Sequence, residues 1–176
     1  MTATLDDLRY PVGRFVPSTD ADARRRAMAD IADLPARIRA AVGGLNDAQL
    51  DTPYRPGGWT ARQVVHHVAD SHMNALVRLK LALTENSPTI KPYDENAFAT
   101  LGDMRLPVAV SLNLIAAVHA RWMAVYDAMR EEQFQRTFVH PEHPVPQTLD
   151  RQAQLYGWHS RHHVAHVTAL RQREGW

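Results

Sequence analysis

Apolar residues return at steps of three and four in four long stretches of this chain, and that period specifies amphipathic helices. The first stretch, 20–42, carries Met28, Ile31, Leu34 and Ile38 behind the cap candidates Ser18 and Thr19 and stops at Gly43-Gly44. Pro35, inside it, is expected to kink the helix or open a new first turn. The second, 59–84, follows the breaker Arg55-Pro-Gly-Gly, takes Thr60 as its N-cap and runs through Val64, Val68, Ala75, Leu79 and Leu83. The third, 107–129, places Pro107 in its first turn and carries Leu112, Ile115, Val118, Trp122 and Val125. The fourth, 149–173, carries Tyr156, Val167 and Leu170 and meets the stop signal Gly175.

The connections 45–58, 86–106 and 138–148 hold proline and turn residues, and only 136–140 is ambiguous enough to compete as a strand. Four helices of similar length can pack side by side along their whole extent, so the expectation is an all-α four-helix bundle in one domain, 1–176. The long loop between the second and third helices is expected to cross the bundle or to cover a site.

Charge excludes some functions. Twenty Lys and Arg against 19 Asp and Glu leave a net charge of +1, which gives no global field for nucleic acid. The first residues are acidic and carry no apolar run of signal-peptide length, and no window approaches the roughly 18 consecutive apolar residues of a membrane helix. A cytoplasmic location without membrane attachment is the expectation. With no cysteine, metal ligation falls to histidine and carboxylate.

Ten histidines stand out, and they cluster. On the last helix, stepping about 100° per residue from Leu155 puts His166 near 20°, His159 near 40°, Leu170 near 60° and His163 near 80°. Three histidines thus share the apolar stripe, while His162, near 340°, falls on its edge. A lone buried histidine is usually a satisfied core residue; three on one stripe each need partners for two nitrogens, and a metal ion supplies one per ring. A facing ligand is expected from the second helix. Setting Val64 at zero puts His72 at about 80°, His67 at about 300° and His66 at about 200°, so the stripe selects His72 and places His66 outside.

The segment from Pro53 through Trp59-Thr-Ala-Arg-Gln-Val-Val-His-His-Val-Ala-Asp70 resembles the signature of the DinB-like superfamily, and more closely its YfiT-type group of metal-dependent hydrolases. Tyr10-Pro-Val-Gly-Arg-Phe, the stretch 80–93, His140-Pro-Glu-His143 and Tyr156-Gly-Trp-His-Ser-Arg-His-His-Val-Ala-His166 are similar to the same group, while Pro144-Val-Pro-Gln departs from it. The resemblance implies an up-down-down-up bundle, a homodimer, and the ligand set His67, His159 and His163. His166 then falls behind the site or in the core, and His72, His119, His140 and His143 have no assigned role. Trp59 and Trp158 read as packing anchors, and Asp70 reads equally as a group that orients a ligand ring and as a solvated carboxylate.

Three neutral imidazoles leave an ion open to water and substrate, as catalytic sites do. Zinc is the expected ion, with nickel the alternative. The resemblance implies a hydrolase in which the ion activates water, or a thiol S-transferase that activates a low-molecular-weight thiol such as bacillithiol against an electrophilic small molecule. No Glu lies within a turn of His159 or His163, which favours thiol transfer; a non-catalytic metal-binding protein is the third reading. Arg78, Lys80, Arg121 and Arg161 are the basic residues expected to meet an anionic thiol.

Overall fold

The computed structural model describes residues 4–143 and 145–176, so Pro144, in the segment that departs from the group's pattern, lies outside the described residues. Four long helices dominate: α1 (Ala23–Val42), α2 (Ala61–Thr84), α3 (Val108–Asp127) and α4 (Leu149–Glu174). Two of them, α2 and α4, carry clear capping signals, and of these Thr60 and Gly175 are the expected ones. Thr60 caps α2 in a reciprocal capping box with Gln63, Thr148 caps α4 through the Arg151 amide, and Gly175 ends α4 at φ +75°. That left-handed conformation suits a residue with no Cβ.

The start of α1 differs from expectation. Ser18 and Thr19 do not cap it, because the Ser18 amide is drawn to Gln154 on α4 and its hydroxyl accepts from Asp20 instead. The Asp22 amide donates to the Asp20 carboxylate, and the helix begins at Ala23. Pro107 sits one residue before α3, as its N-cap. Pro35 neither ends α1 nor restarts it. What it removes is one helical N–H, the donor that the Ile31 carbonyl four residues earlier would otherwise receive.

Contacts set the helix directions. Along α1 and α4, Arg24 meets Asp150, Ala27 meets Gly157, Asp30 meets Arg161 and the Ala41 carbonyl meets Arg171, so these two helices run parallel. His66 meets Ser111 and His72 meets His119, so α2 and α3 are also parallel. Arg39 meets Asn113 while Ile31 meets His119, which makes α1 antiparallel to α3. The bundle is therefore up-down-down-up.

A parallel α2–α3 pair requires the chain to return along the bundle, about 36 Å for 24 residues of helix. The long connection does this, and it is pinned midway where the Ile90 amide donates to Val139 and the Val139 amide to Pro88. Residues 136–140, ambiguous in sequence, contribute Thr137–Phe138 to a two-residue antiparallel ribbon with Gln147–Thr148. The ribbon, which lies between α3 and α4 in the chain, packs against α2 and α4.

The apolar interior is in two parts. One surrounds Leu34, Val65, Val68, Ile115, Val164 and Leu170, the other Ile31, Leu79, Trp122, Leu149 and Tyr156. Between them, at the height of His72, His119 and His159, the bundle carries a layer of imidazoles. α3 is the most apolar helix, long and hydrophobic enough by composition to cross a membrane. The bundle buries 33% of that apolar stretch, with Ile115 and Trp122 fully buried, while Val110 and Leu114 are exposed.

Gly157 makes the α1–α4 contact close, because a Cβ there would lie 2.6 Å from both Cα and Cβ of Ala27. Gly157→Ala should gain about 1 kcal/mol of helix propensity and lose about 1–3 kcal/mol to overpacking against backbone that cannot yield. The expected outcome is a lower urea midpoint than wild type. A raised midpoint would show that α1 and α4 can separate without penalty.

Candidate metal centre

The capping box that starts α2 also aims it. Gln63 closes the box with Thr60 and donates its amide to the Ala99 carbonyl, which ties the helix start to the crossover connection. One turn on, His67 is buried with its ring 4.5 Å from that of Trp59. Antiparallel to it, α4 presents His159 and His163 one turn apart.

The three Nε2 atoms converge. His159 Nε2 is 3.1 Å from His163 Nε2 and 3.4 Å from His67 Nε2, and all three ligand atoms lie within 4.8 Å of one another. Nitrogens arranged tetrahedrally at 2.0–2.1 Å from zinc stand about 3.3 Å apart, so the donor set fits a divalent ion. Protonation does not compete at neutral pH. Burial, helped by His166, lowers the His67 pKa to about 4, and burial together with the neighbouring rings takes His159 and His163 well below 6.5.

His72, which the apolar stripe selects, is not in this cluster. It is fully buried one layer behind, with Nε2 3.0 Å from His159 Nδ1 and Nδ1 2.9 Å from His119 Nε2. The cluster lies to one side of the core, in the cleft between α2 and α4, so its α2 member, His67, comes from the edge of the stripe. His66 is not outside either. The start of α3 and the preceding loop cover it, and its ring lies between the Ser111 hydroxyl at 2.6 Å and the Leu106 carbonyl at 3.1 Å. Periodicity fails on α2 because nearly every face of its first half is buried.

His166 backs the centre, with Nδ1 3.4 Å from His163 Nδ1 and Nε2 3.1 Å from the Arg9 carbonyl. His162 is buried, stacks on Trp158 at 4.4 Å, and has no partner for Nδ1 among the described residues. Trp158 anchors the N-terminal segment by donating to the Gly13 carbonyl. Among the described residues the Asp70 side chain makes no hydrogen bond to a histidine ring, and burial followed by Asp103 raises its pKa.

The three nitrogens open into a cavity of about 430 Å³. Of the four basic residues expected there, Arg78 alone lines it; Arg161 is paired with Asp30 on the outside of α4. Arg9 and Arg55, from segments distant in sequence, join Arg78 on the wall, and none of the three forms an ion pair among the described residues. Glu95 and Glu142 also reach the wall, from loops, as do Tyr93 and Tyr156. Burial raises both phenols, so they stay protonated and can donate. Arg78 and Tyr156 share helices with the histidines, but no spacing rule connects Arg9, Arg55, Tyr93, Glu95 or Glu142 to them; loops and the N-terminal segment place those five.

A helical bundle with three convergent histidines at the mouth of a basic cavity defines a metal-site bundle class, and the comparisons place the chain within it. Residues 30–167 match the family model described as DinB superfamily, and the chain belongs to that family. A Bacillus cereus (strain 03BB102) protein named as a candidate metal-dependent hydrolase is 49% identical over 175 residues, covering 98% of this chain and 100% of its own length. A similarly named protein of Bacillus thuringiensis subsp. konkukian (strain 97-27) matches to the same extent. Among solved structures, YfiT from Bacillus subtilis superposes with a TM-score of 0.92 at 45% identity, covering 97% of this chain and 99% of that one. It is described as a candidate metal-dependent hydrolase with an unusual four-helix-bundle topology.

The centre generates two expectations. His67→Ala, His159→Ala and His163→Ala should each lose most bound metal on dialysis, because two imidazoles hold an ion poorly. His162→Ala should retain it, and metal analysis of the purified variants decides. The second concerns pH. His67, His119 and His166 fall to about 4 and His162 to about 3, against 6.5 when exposed. Folded rings bind fewer protons than unfolded ones between those values, so stability should be full above about pH 6.5 and drop steeply toward pH 4. Thermal midpoints of metal-free protein that stay flat across that window would show the rings are not buried neutral.

Proposed function

We propose that this protein is a metal-dependent enzyme that joins a low-molecular-weight thiol to an electrophilic small molecule. The observation that carries the reading is the charge of the cavity wall: Arg9, Arg55 and Arg78 line the cavity of the histidine cluster and form no ion pair among the described residues. Three such cations suit a thiol bearing carboxylates, which guanidinium groups bind in a planar, two-pronged way. Zinc is our choice of ion, with nickel the alternative. An ion held by three neutral imidazoles keeps open positions and supplies Lewis acidity, lowering the pKa of a thiol or a water that reaches it.

The remaining work falls to side chains. His67, His159 and His163 hold neutral nitrogens toward one point. Tyr93 and Tyr156 offer hydroxyl donors near Arg78. Trp59 and Trp158 give the same cavity apolar surface for a hydrophobic electrophile.

Hydrolysis is the second reading, and the names of the Bacillus relatives favour it. The absence of a nearby glutamate in sequence does not weigh against it once the loops bring Glu95 and Glu142 to the wall, where either can act as a base toward water. Zinc-loaded protein should consume a reactive electrophile faster than the uncatalysed thiol reaction, and Arg78→Ala should raise KM for an anionic thiol with little change in kcat. Metal-dependent cleavage of an ester or amide, with no acceleration by any thiol tested, would replace transfer by hydrolysis.

A further inference from the structure

We infer that His72, His119 and His166 are positioning residues that set the tautomer of the two α4 histidines, each relay ending on a backbone carbonyl that a helix has left without its N–H donor. The inference rests on the metal reading of His67, His159 and His163 and extends it to residues that touch neither ion nor substrate.

The longer relay starts in α1. The Ile31 carbonyl lacks its helical donor because position 35 is proline, and a carbonyl can only accept. His119 Nδ1, 2.6 Å away, must therefore carry the hydrogen. A neutral imidazole has one N–H, so His119 Nε2 is an acceptor, and His72 Nδ1 at 2.9 Å must donate to it. The same reasoning makes His72 Nε2 an acceptor and His159 Nδ1, 3.0 Å away, its donor. His159 Nε2 is then left with a bare lone pair directed at His67 and His163. Every proton in the chain of three rings is assigned by one carbonyl.

The shorter relay repeats the device. The helix Leu5–Arg9 ends at Arg9, whose carbonyl belongs to the last turn and has no helical donor. His166 Nε2 donates to it, His166 Nδ1 accepts from His163 Nδ1, and His163 Nε2 faces the centre unprotonated. Metal-binding histidines ordinarily donate their outer N–H to a carboxylate or carbonyl. Here an intervening imidazole transmits the preference, which lets the bundle hold the ligands without burying a charge.

The wild-type protein tests this without metal and without turnover. Nitrogen-15 spectra of histidine-labelled, metal-free protein near pH 7.5 report which nitrogen of each ring is protonated. His72, His119 and His159 should all be in the Nδ1–H form, with His166 in the Nε2–H form. An Nε2–H tautomer at His72 or His159 would overturn the relay.

A second measurement uses zinc affinity by chelator competition. His119→Phe, two rings away from the centre, should weaken zinc by about 10- to 100-fold, the range for outer partners of metal ligands. His119→Gln should recover most of it, since its amide can donate to Ile31 and accept from His72. Affinity unchanged in a folded His119→Phe protein would also overturn the proposal. A wild-type protein that binds no zinc, yet shows the expected tautomers, would remove the metal reading and leave the relay standing.

Discussion

Every imidazole buried in this bundle brings two nitrogens that must be satisfied far from water. Histidines 66, 67, 72, 119, 162, 163 and 166 are all buried, and burial drives those that it reaches toward the neutral form. Leaving such a group unpaired costs about 1–3 kcal/mol, so the arrangement of the helices has to supply partners. It does so largely from the rings themselves and from carbonyls. The Ile31 carbonyl, freed by Pro35, and the Arg9 carbonyl, freed by a helix end, are the fixed acceptors from which the others are ordered. Two apolar clusters enclose this polar layer and hold its spacing.

The layer exists only because of the order in which the helices are joined. Parallel α1 and α4, in close contact at Ala27 and Gly157, leave α4 free to face α2 on its other side. Antiparallel packing there sets His67 opposite a histidine pair one turn apart. The parallel α2–α3 pair puts His72 beside His119, and α1 lies near enough to α3 for Ile31 to reach the end of the relay. The same topology requires a long return connection, and that segment carries Tyr93 and Glu95 to the mouth of the centre. One choice of connectivity therefore supplies the three convergent histidines, the rings behind them and part of the cavity wall.

The division of labour around the centre follows from charge. Its inner side is neutral imidazole, which keeps the interior free of unpaired ions. Its outer side holds Arg9, Arg55 and Arg78 where solvent can still reach them, so their charge can be kept without a buried partner. A bound anion would meet guanidinium groups first and neutral nitrogens behind them.

The periodicity of the chain determined the four helices and most of their ends, because caps such as Thr60 and the stop at Gly175 act through neighbours a few residues away. The His159 and His163 pair was legible for the same reason: residues four apart on a helix share a face whatever the helix packs against. The resemblance supplied His67. Periodicity alone would have chosen His72 and put His66 in solvent, since a wheel locates the mean direction of the core but not a cleft at its edge. Pro35 was legible as a perturbation of α1, yet what it frees is used by a ring 88 residues away. Arg9, Arg55, Glu95 and Glu142 reach the cavity from loops and a terminal segment. Loop residues obey no repeat, so only the tertiary structure, through the path each connection must take between helix ends, decided what stands around the centre.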